Sequence, residues 1–196
     1  FHDPDGTLGA VRERLRWYPP DVWRYVLACQ WRRIAQEEAF AARAAEDGDE
    51  LGSLVVTARL VRELGRLLLL LSRRWPPYQK WVMRSLRADP AVPHLLIALQ
   101  APEFRVREDA LCTAFEIAGA RQNALGLGAA VPAVRRNFHT RPYAVIAADR
   151  FGQALVHEIA DPELRRRPLT GTADQVFDST DVLTDPASLR RMMILL

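Results

Sequence analysis

Residues 21 to 74 constrain this chain more than any other stretch. Apolar side chains recur there at three- and four-residue steps on both sides of Asp47-Gly48-Asp49. That spacing places them on one face of an α-helix. Before the turn, Val22, Val26, Cys29 and Arg33 share one face, and Trp23, Leu27, Trp31 and Ile34 share its neighbour. The spacing predicts a helix from about residue 21, with Asp21 as N-cap, to about residue 46. After the turn, Leu54, Ala58, Val61, Leu64, Leu68 and Leu71 mark the apolar stripe of a second helix over 50–74. Two long helices joined by so short a turn pack as an antiparallel hairpin.

The flanks are punctuated by proline and glycine. Asp5 or Thr7 can cap a first helix that runs to about residue 17, before Pro19 and Pro20. Pro76 and Pro77 end the hairpin, because proline removes a donor and clashes within a helix. Shorter helices are expected over 78–87 and 92–99. A long one covers 103–125 and stops at Gly126-Leu127-Gly128. Residues 131–148 read as connection with one extended piece near 143–147. A helix follows over 151–159, then loop over 174–183, then a helix from 186 to 195. No set of alternating apolar and polar runs supports a substantial sheet. The expected fold is therefore all-α: a helical bundle built on a long antiparallel helix hairpin, with shorter helices and an irregular C-terminal third. It is expected to form a single domain over residues 1–196.

Of 27 basic residues only Lys80 is lysine, so 27 − 1 = 26 are arginine. With abundant Ala and Leu, this bias resembles that of a GC-rich bacterial genome, and a bacterial source is the expectation. The bases are interleaved with 24 acids for a net charge of +3, so composition argues against nucleic acid as the partner. Cys29 and Cys112 lie in apolar helical patterns with no ligand spacing, which predicts reduced core thiols in a cytoplasmic protein. The most apolar run, at Leu67–Leu71, is far short of the ~20 residues a membrane span needs. The chain opens on Phe1, and its natural N-terminus is expected upstream.

Short catalytic signatures are missing from the sequence. His2, His94, His139 and His157 have no metal-ligand spacing. Gly126 and Gly128 follow a helix and read as a C-cap, not a phosphate loop. Ser53, Ser72, Ser85, Ser179 and Ser188 have no nucleophile-elbow context.

The informative feature is polar content within the hairpin. Gln30, Arg33, Gln36, Glu37 and Arg43 share a helix with the aromatic core positions, and Gln30, Arg33 and Glu37 share a face. Asp49, Glu50 and Ser53 open the next helix, and Arg59, Arg62, Glu63 and Arg66 continue it. These are either a solvated face with pairs such as Arg59–Glu63, with Asp49 serving only as a cap, or the walls of a polar cleft. A second group is Trp75-Pro76-Pro77-Tyr78-Gln79-Lys80-Trp81, where a lone lysine in an arginine-rich chain suggests a compact point charge. Helix-start aromatics are equally consistent with core. Asn123, Arg141 and Asp178-Ser179-Thr180-Asp181 are expected to cap or close turns.

Several segments together resemble a known family. They are Phe1-His2-Asp3, Tyr18-Pro19-Pro20-Asp21-Val22-Trp23, Gln30-Trp31-Arg32-Arg33-Ile34 and Gly48-Asp49-Glu50-Leu51-Gly52-Ser53. Others are Arg59-Leu60-Val61-Arg62, Pro77-Tyr78-Gln79-Lys80-Trp81, Asn123-Ala124-Leu125-Gly126-Leu127, Phe138-His139 with Arg141-Pro142, and Asp174-Gln175 with Asp178-Ser179-Thr180-Asp181. The set is similar to the family called domain of unknown function 4037. In such proteins a nucleotidyltransferase-like domain typically precedes the helical part, so the resemblance implies a C-terminal bundle similar to the helical domains of aminoglycoside nucleotidyltransferases. Its partner would be that N-terminal domain, where a Gly-Ser turn and paired aspartates hold Mg²⁺ and a nucleotide triphosphate. Gly52-Ser53 is not that motif, since it lies in a predicted helix with no paired aspartates beyond it. No cofactor is therefore expected on this chain.

Two functions follow as expectations. One is a substrate-positioning accessory domain of a nucleotidyltransferase-like protein, with Gln30, Arg33, Gln36, Asp49, Ser53, Tyr78, Lys80 and Trp81 around the substrate and Glu37 as a general base. The other is a non-enzymatic interaction or dimerisation module.

Overall fold

The computed structural model describes residues 2–177 and 179–193. Phe1 and Asp178, two residues of the motifs above, lie outside the described residues. The helices in order are α1 (Thr7–Arg14), α2 (Pro20–Glu37), α3 (Phe40–Glu46), α4 (Glu50–Leu71), α5 (Val82–Ser85), α6 (Val92–Gln100) and α7 (Phe104–Leu125). They continue as α8 (Asp149–His157), α9 (Pro162–Arg166), α10 (Ala173–Val176), α11 (Thr180–Thr184) and α12 (Pro186–Met193). A 3₁₀ turn at Gln79–Trp81 precedes α5. Arg136–Asn137 (β1) and Ala144–Val145 (β2) form a two-stranded antiparallel ribbon, with Arg136 opposite Val145. The class is all-α, as the periodicity requires.

The core lies where α2, α4, α7 and α8 meet. Trp23, Leu27, Trp31 and Ile34 of α2 are buried against Leu60, Leu64, Leu67 and Leu68 of α4. The Trp31 ring stacks on Phe151 of α8 at 4.6 Å, and its Nε1 donates to Gln122 Oε1 of α7 at 2.5 Å. Burying each such side chain contributes roughly 1.5–3 kcal/mol. Cys29 and Cys112 are free and buried, as predicted. Among the described residues no helix is long and apolar enough to cross a membrane.

The structure departs from the predicted boundaries at several places. The expected 21–46 helix breaks after Glu37, and α3 begins at Phe40. The break redirects Ala39 and Ala42 onto Tyr143 and Val145, a second small core under the ribbon. Asp21 is not the N-cap of α2: Pro19 is, with Pro20 at the first helical position. Asp21 instead accepts from the Ala160 and Asp161 N–H groups at 3.0 and 2.9 Å and pairs with Arg24, which hold its carboxyl below the ordinary value. Neither Asp5 nor Thr7 caps α1. The N-cap is Gly6, and Asp3 upstream of it accepts from the first-turn N–H groups of Leu8 and Gly9; α1 stops at Arg14.

The stripe of α4 also differs. Ala58 is exposed and Leu54 half-buried, while Ser53 and Thr57 are buried. Polar side chains face inward there because Arg107 of α7 is buried opposite, donating to Ser53 Oγ at 3.3 Å and to Glu50 at 2.6 Å. The helix ends at Leu71 because Arg73 adopts a left-handed backbone (φ 52°). The Arg74 and Arg73 N–H groups then fold back to the Leu69 and Leu70 carbonyls, satisfying orphan acceptors. The expected loop over 174–183 is corrected: it holds α10 and α11, and α10 is fixed by a capping box between Thr172 and Gln175. Gln175 Oε1 accepts the Thr172 N–H at 2.9 Å, while its Nε2 donates to Val26 O and to Gln30 Oε1 of α2.

Candidate functional site

The polar residues of the hairpin meet at Glu63, which is only 6% exposed. Gln30 Nε2 of α2 donates to Glu63 Oε2 at 2.7 Å and to the Glu63 carbonyl at 3.0 Å. Arg33 Nε donates to the same carboxylate oxygen at 3.2 Å, and Arg62 approaches the other oxygen at 3.8 Å. Gln175 closes the network from α10. A carboxylate taken out of water needs this density of donors, because an unpaired buried charge is strongly unfavourable.

One helical turn on, Arg66 is again nearly buried and donates to Asp174 Oδ2 at 2.6 Å. Its Nε is buried with no hydrogen-bond partner among the described residues. Arg62, Arg66, Pro76, Pro77, Tyr78, Gln79, Asp174, Phe177 and Leu183 enclose a hollow of about 330 Å³, within the size range of small-molecule sites. Tyr78 OH meets Thr180 Oγ1 at 3.1 Å along this hollow. Tyr18 adjoins it, its phenol pushed up to about 12 by burial and by the Asp174 carboxylate. The hollow is thus bordered by guanidinium, carboxylate and ring, and it suits a polar ligand bearing hydroxyl or anionic groups.

The predicted site residues fall into separate groups. Gln30 and Arg33 join on Glu63. Tyr78, Lys80 and Trp81 join on the surface, with Lys80 Nζ 5.2 Å from the Trp81 ring and 5.9 Å from that of Tyr78. Glu37 forms a two-point ion pair with Arg59 across the hairpin, at 2.5 and 3.0 Å, in place of the expected Arg59–Glu63 contact. Asp49 caps α4 through the Gly52 N–H at 2.8 Å and borders a shallow groove with Phe40 and Arg43. Ser53 is buried on Arg107, and Gln36 is exposed. Asn123 is structural, as expected: its amide clamps the Val131 N–H and carbonyl. Arg141 pairs with Glu46.

Sequence reasoning named Glu63 and Arg66 among the hairpin's polar residues and Asp174-Gln175 as a family segment, but placed none of the four among the site residues. The available signal was the placement of Glu63 and Arg66 inside the leucine-rich half of α4, where charge needs a partner. It also passed over Glu38. This side chain sits at the α2–α3 break, where Oε1 accepts the Ala148 N–H at 3.0 Å and Oε2 is buried with no partner among the described residues. Burial pushes its carboxyl up to about 7, against the Ala148, Ala147 and Ile146 N–H groups that favour the anion. Glu38 lines a cavity of about 20 Å³ with Thr57, Arg107 and Cys112, room for about one water.

Fold and site define an all-α domain in which a buried amide–carboxylate–guanidinium network borders an open polar hollow. Residues 1–82 match the family model described as Domain of unknown function (DUF4037). The family resemblance read from the sequence therefore holds over these residues, fewer than half of the 196. Neither a curated protein nor a solved structure matches the chain.

Proposed function

We propose that this chain is the substrate-positioning helical domain of a nucleotidyltransferase-like protein, and that the hollow beside α4 receives a polar acceptor. The observation that carries this reading is Arg66, a nearly buried guanidinium fixed by Asp174 on the wall of a cavity large enough for a small molecule. A preset guanidinium fork orients an oxygen-rich ligand at little entropic cost. Tyr78, more than half exposed at the rim, offers a ring and a hydroxyl. Glu37 would have to exchange Arg59 for the acceptor hydroxyl before acting as a general base.

Among the described residues no group of three or more His, Cys, Asp or Glu could hold a metal ion. These residues do not fit a Mg²⁺ site, so metal and nucleotide triphosphate belong in this reading to the nucleotidyltransferase-like domain, which supplies the phosphoryl chemistry. A cytoplasmic location, with Cys29 and Cys112 reduced, is part of the same proposal.

The test is calorimetric titration of the natural full-length protein with each Mg-nucleotide triphosphate, alongside pyrophosphate release in the presence of candidate polyhydroxyl acceptors. We expect nucleotide binding, and a tenfold or larger rise in acceptor KM for Asp174→Asn and Tyr78→Ala with nucleotide affinity unchanged. Glu37→Gln should lower kcat and leave binding intact. Failure of the intact protein to bind any nucleotide would sink the reading.

A non-enzymatic interaction module is favoured by one observation. Helix α1 has no buried residue, and Leu8, Val11 and Leu15 lie exposed along it at three- and four-residue steps. Light scattering that shows a dimer lost in Leu8→Ser/Leu15→Ser would support this second reading, and a monomer at all concentrations would count against it.

A further inference from the structure

The count of acids that argued against nucleic acid holds for the chain as a whole but not for each part of its surface. Between Glu63 and Asp89 there is no acidic residue, while Arg66, Arg73, Arg74, Lys80, Arg84 and Arg87 fall in that interval. Arg66 turns inward to Asp174. The other five are exposed, and among the described residues none of them is in a salt bridge, although arginines elsewhere in the fold are repeatedly paired. Asp89, which ends the interval, is held by Arg121 at 2.7 and 3.1 Å. Asp181, beside Thr180, is an acid on the Tyr78 border.

The fold gathers these charges. Arg74 Nη1 donates to the Ser85 carbonyl at 2.7 Å. That contact brings Arg74 beside an open groove of about 480 Å³ lined by Trp81, Arg84, Ser85 and Arg87. The Trp81 indole, 41% exposed, carries Lys80 at 5.2 Å and Arg84 at 4.8 Å from its ring centre. The apolar side of the same segment is already used, since Val82 and Leu86 are buried in the core. Met83 and Val82 also close on Gly65 of α4, where a Cβ would stand 2.5 and 3.2 Å from them. The platform is thus seated rigidly, and what it leaves outside is cation and ring, with Met83 the one apolar side chain of α5 exposed beside them.

We propose that the surface formed by Arg74, Lys80, Trp81, Arg84 and Arg87 binds single-stranded nucleic acid. The phosphodiester backbone meets guanidinium and ammonium groups that no carboxylate among the described residues neutralises, and an unstacked base lies on Trp81. A lipid surface fits less well. Membrane-seating helices lay a long apolar face into the bilayer, whereas α5 has four residues and exposes one apolar side chain, Met83. An acidic peptide would satisfy the charges but leave the indole without a flat partner. The proposal does not depend on the hollow beside Arg66.

Fluorescence anisotropy with labelled oligonucleotides of about 15 nucleotides tests it on the whole chain, using single-stranded RNA, single-stranded DNA and a duplex. Preference between the first two identifies the source of the strand. We expect single strands to bind more tightly than the duplex, with affinity falling between ~50 and ~200 mM salt. Arg84→Ala/Arg87→Ala should reduce the slope of log affinity against log salt by about 1.4. Trp81→Ala should weaken binding about tenfold, with Trp81→Phe restoring most of it. Arg165→Ala on α9 is the charge control and should change little. The proposal is overturned if single strands do not bind at ~50 mM salt. It is overturned equally if duplex binds as well as single strand, if Arg165→Ala weakens binding as much as the Arg84/Arg87 pair, or if phosphatidylserine vesicles displace the oligonucleotide.

Discussion

Gln30 and Glu63 hold α2 and α4 together through one amide: its nitrogen donates to both the carboxylate and the main-chain carbonyl of Glu63, at 2.7 and 3.0 Å. The same amide accepts from Gln175 at 2.9 Å. A fully buried glutamine thus fixes the spacing of two helices and docks the C-terminal segment beside them.

Replacing Gln30 by Leu is therefore expected to destabilise more than its apolar character suggests. Glu63 loses two donors and Gln175 loses an acceptor, each a buried group with a desolvation cost of about 1–3 kcal/mol. A loss of roughly 2–4 kcal/mol should appear in urea unfolding. The C-terminal segment should also become more susceptible to proteolysis. A variant as stable as the parent would mean that the network carries no net energy.

Stability is expected to fall as pH rises through neutrality, and Glu38 is the cause. Its folded carboxyl titrates near 7 and its ordinary value is 4.5, so the folded state holds the proton more tightly than the unfolded chain. The contribution is complete below 4.5 and disappears as pH passes about 7. The gap corresponds to a contribution on the order of 3 kcal/mol. Glu38→Gln keeps an uncharged acceptor for the Ala148 N–H and should flatten the profile between pH 5 and 8. Parallel profiles for the two proteins would assign the dependence elsewhere.

Close approach of α8 to the turn after α7 predicts a third effect. A Cβ on Gly128 would lie 2.5 Å from the Ala154 carbonyl oxygen, a backbone atom that cannot rotate away. Gly128→Ala should cost about 1–3 kcal/mol through displacement of α8 and lower Tm accordingly. Gly9→Ala on α1, where the nearest contact is Asp3 at an ordinary 3.4 Å, should be neutral or slightly stabilising. Equal shifts for both would refute the packing argument.

The hairpin, the long α7 and the glycine stop at Gly126 were legible because each rests on local chemistry: side-chain periodicity, or a backbone (φ 61° at Gly126) that disfavours branched residues. Those constraints act within a few residues of chain. The break at Glu38, the inward turn of Ser53 and the docking of α10 on α2 were not legible. Their causes, the Ala148 N–H, Arg107 and Gln30, lie 110, 54 and 145 residues away from Glu38, Ser53 and Gln175 respectively.

The candidate sites divide in the same way. Composition and spacing fixed which side chains were available on α2, on α4 and in the Trp75–Trp81 segment, and a helical period fixed which of them share a face. Only tertiary packing decided which charges are neutralised. It set Glu63 against Gln30 and Arg33, Glu37 against Arg59 and Arg66 against Asp174, and it left Arg84 and Arg87 with no carboxylate among the described residues. The reason is electrostatic: a side chain's chemistry is set by what lies within a few ångströms of it in space, and helical periodicity specifies only its direction.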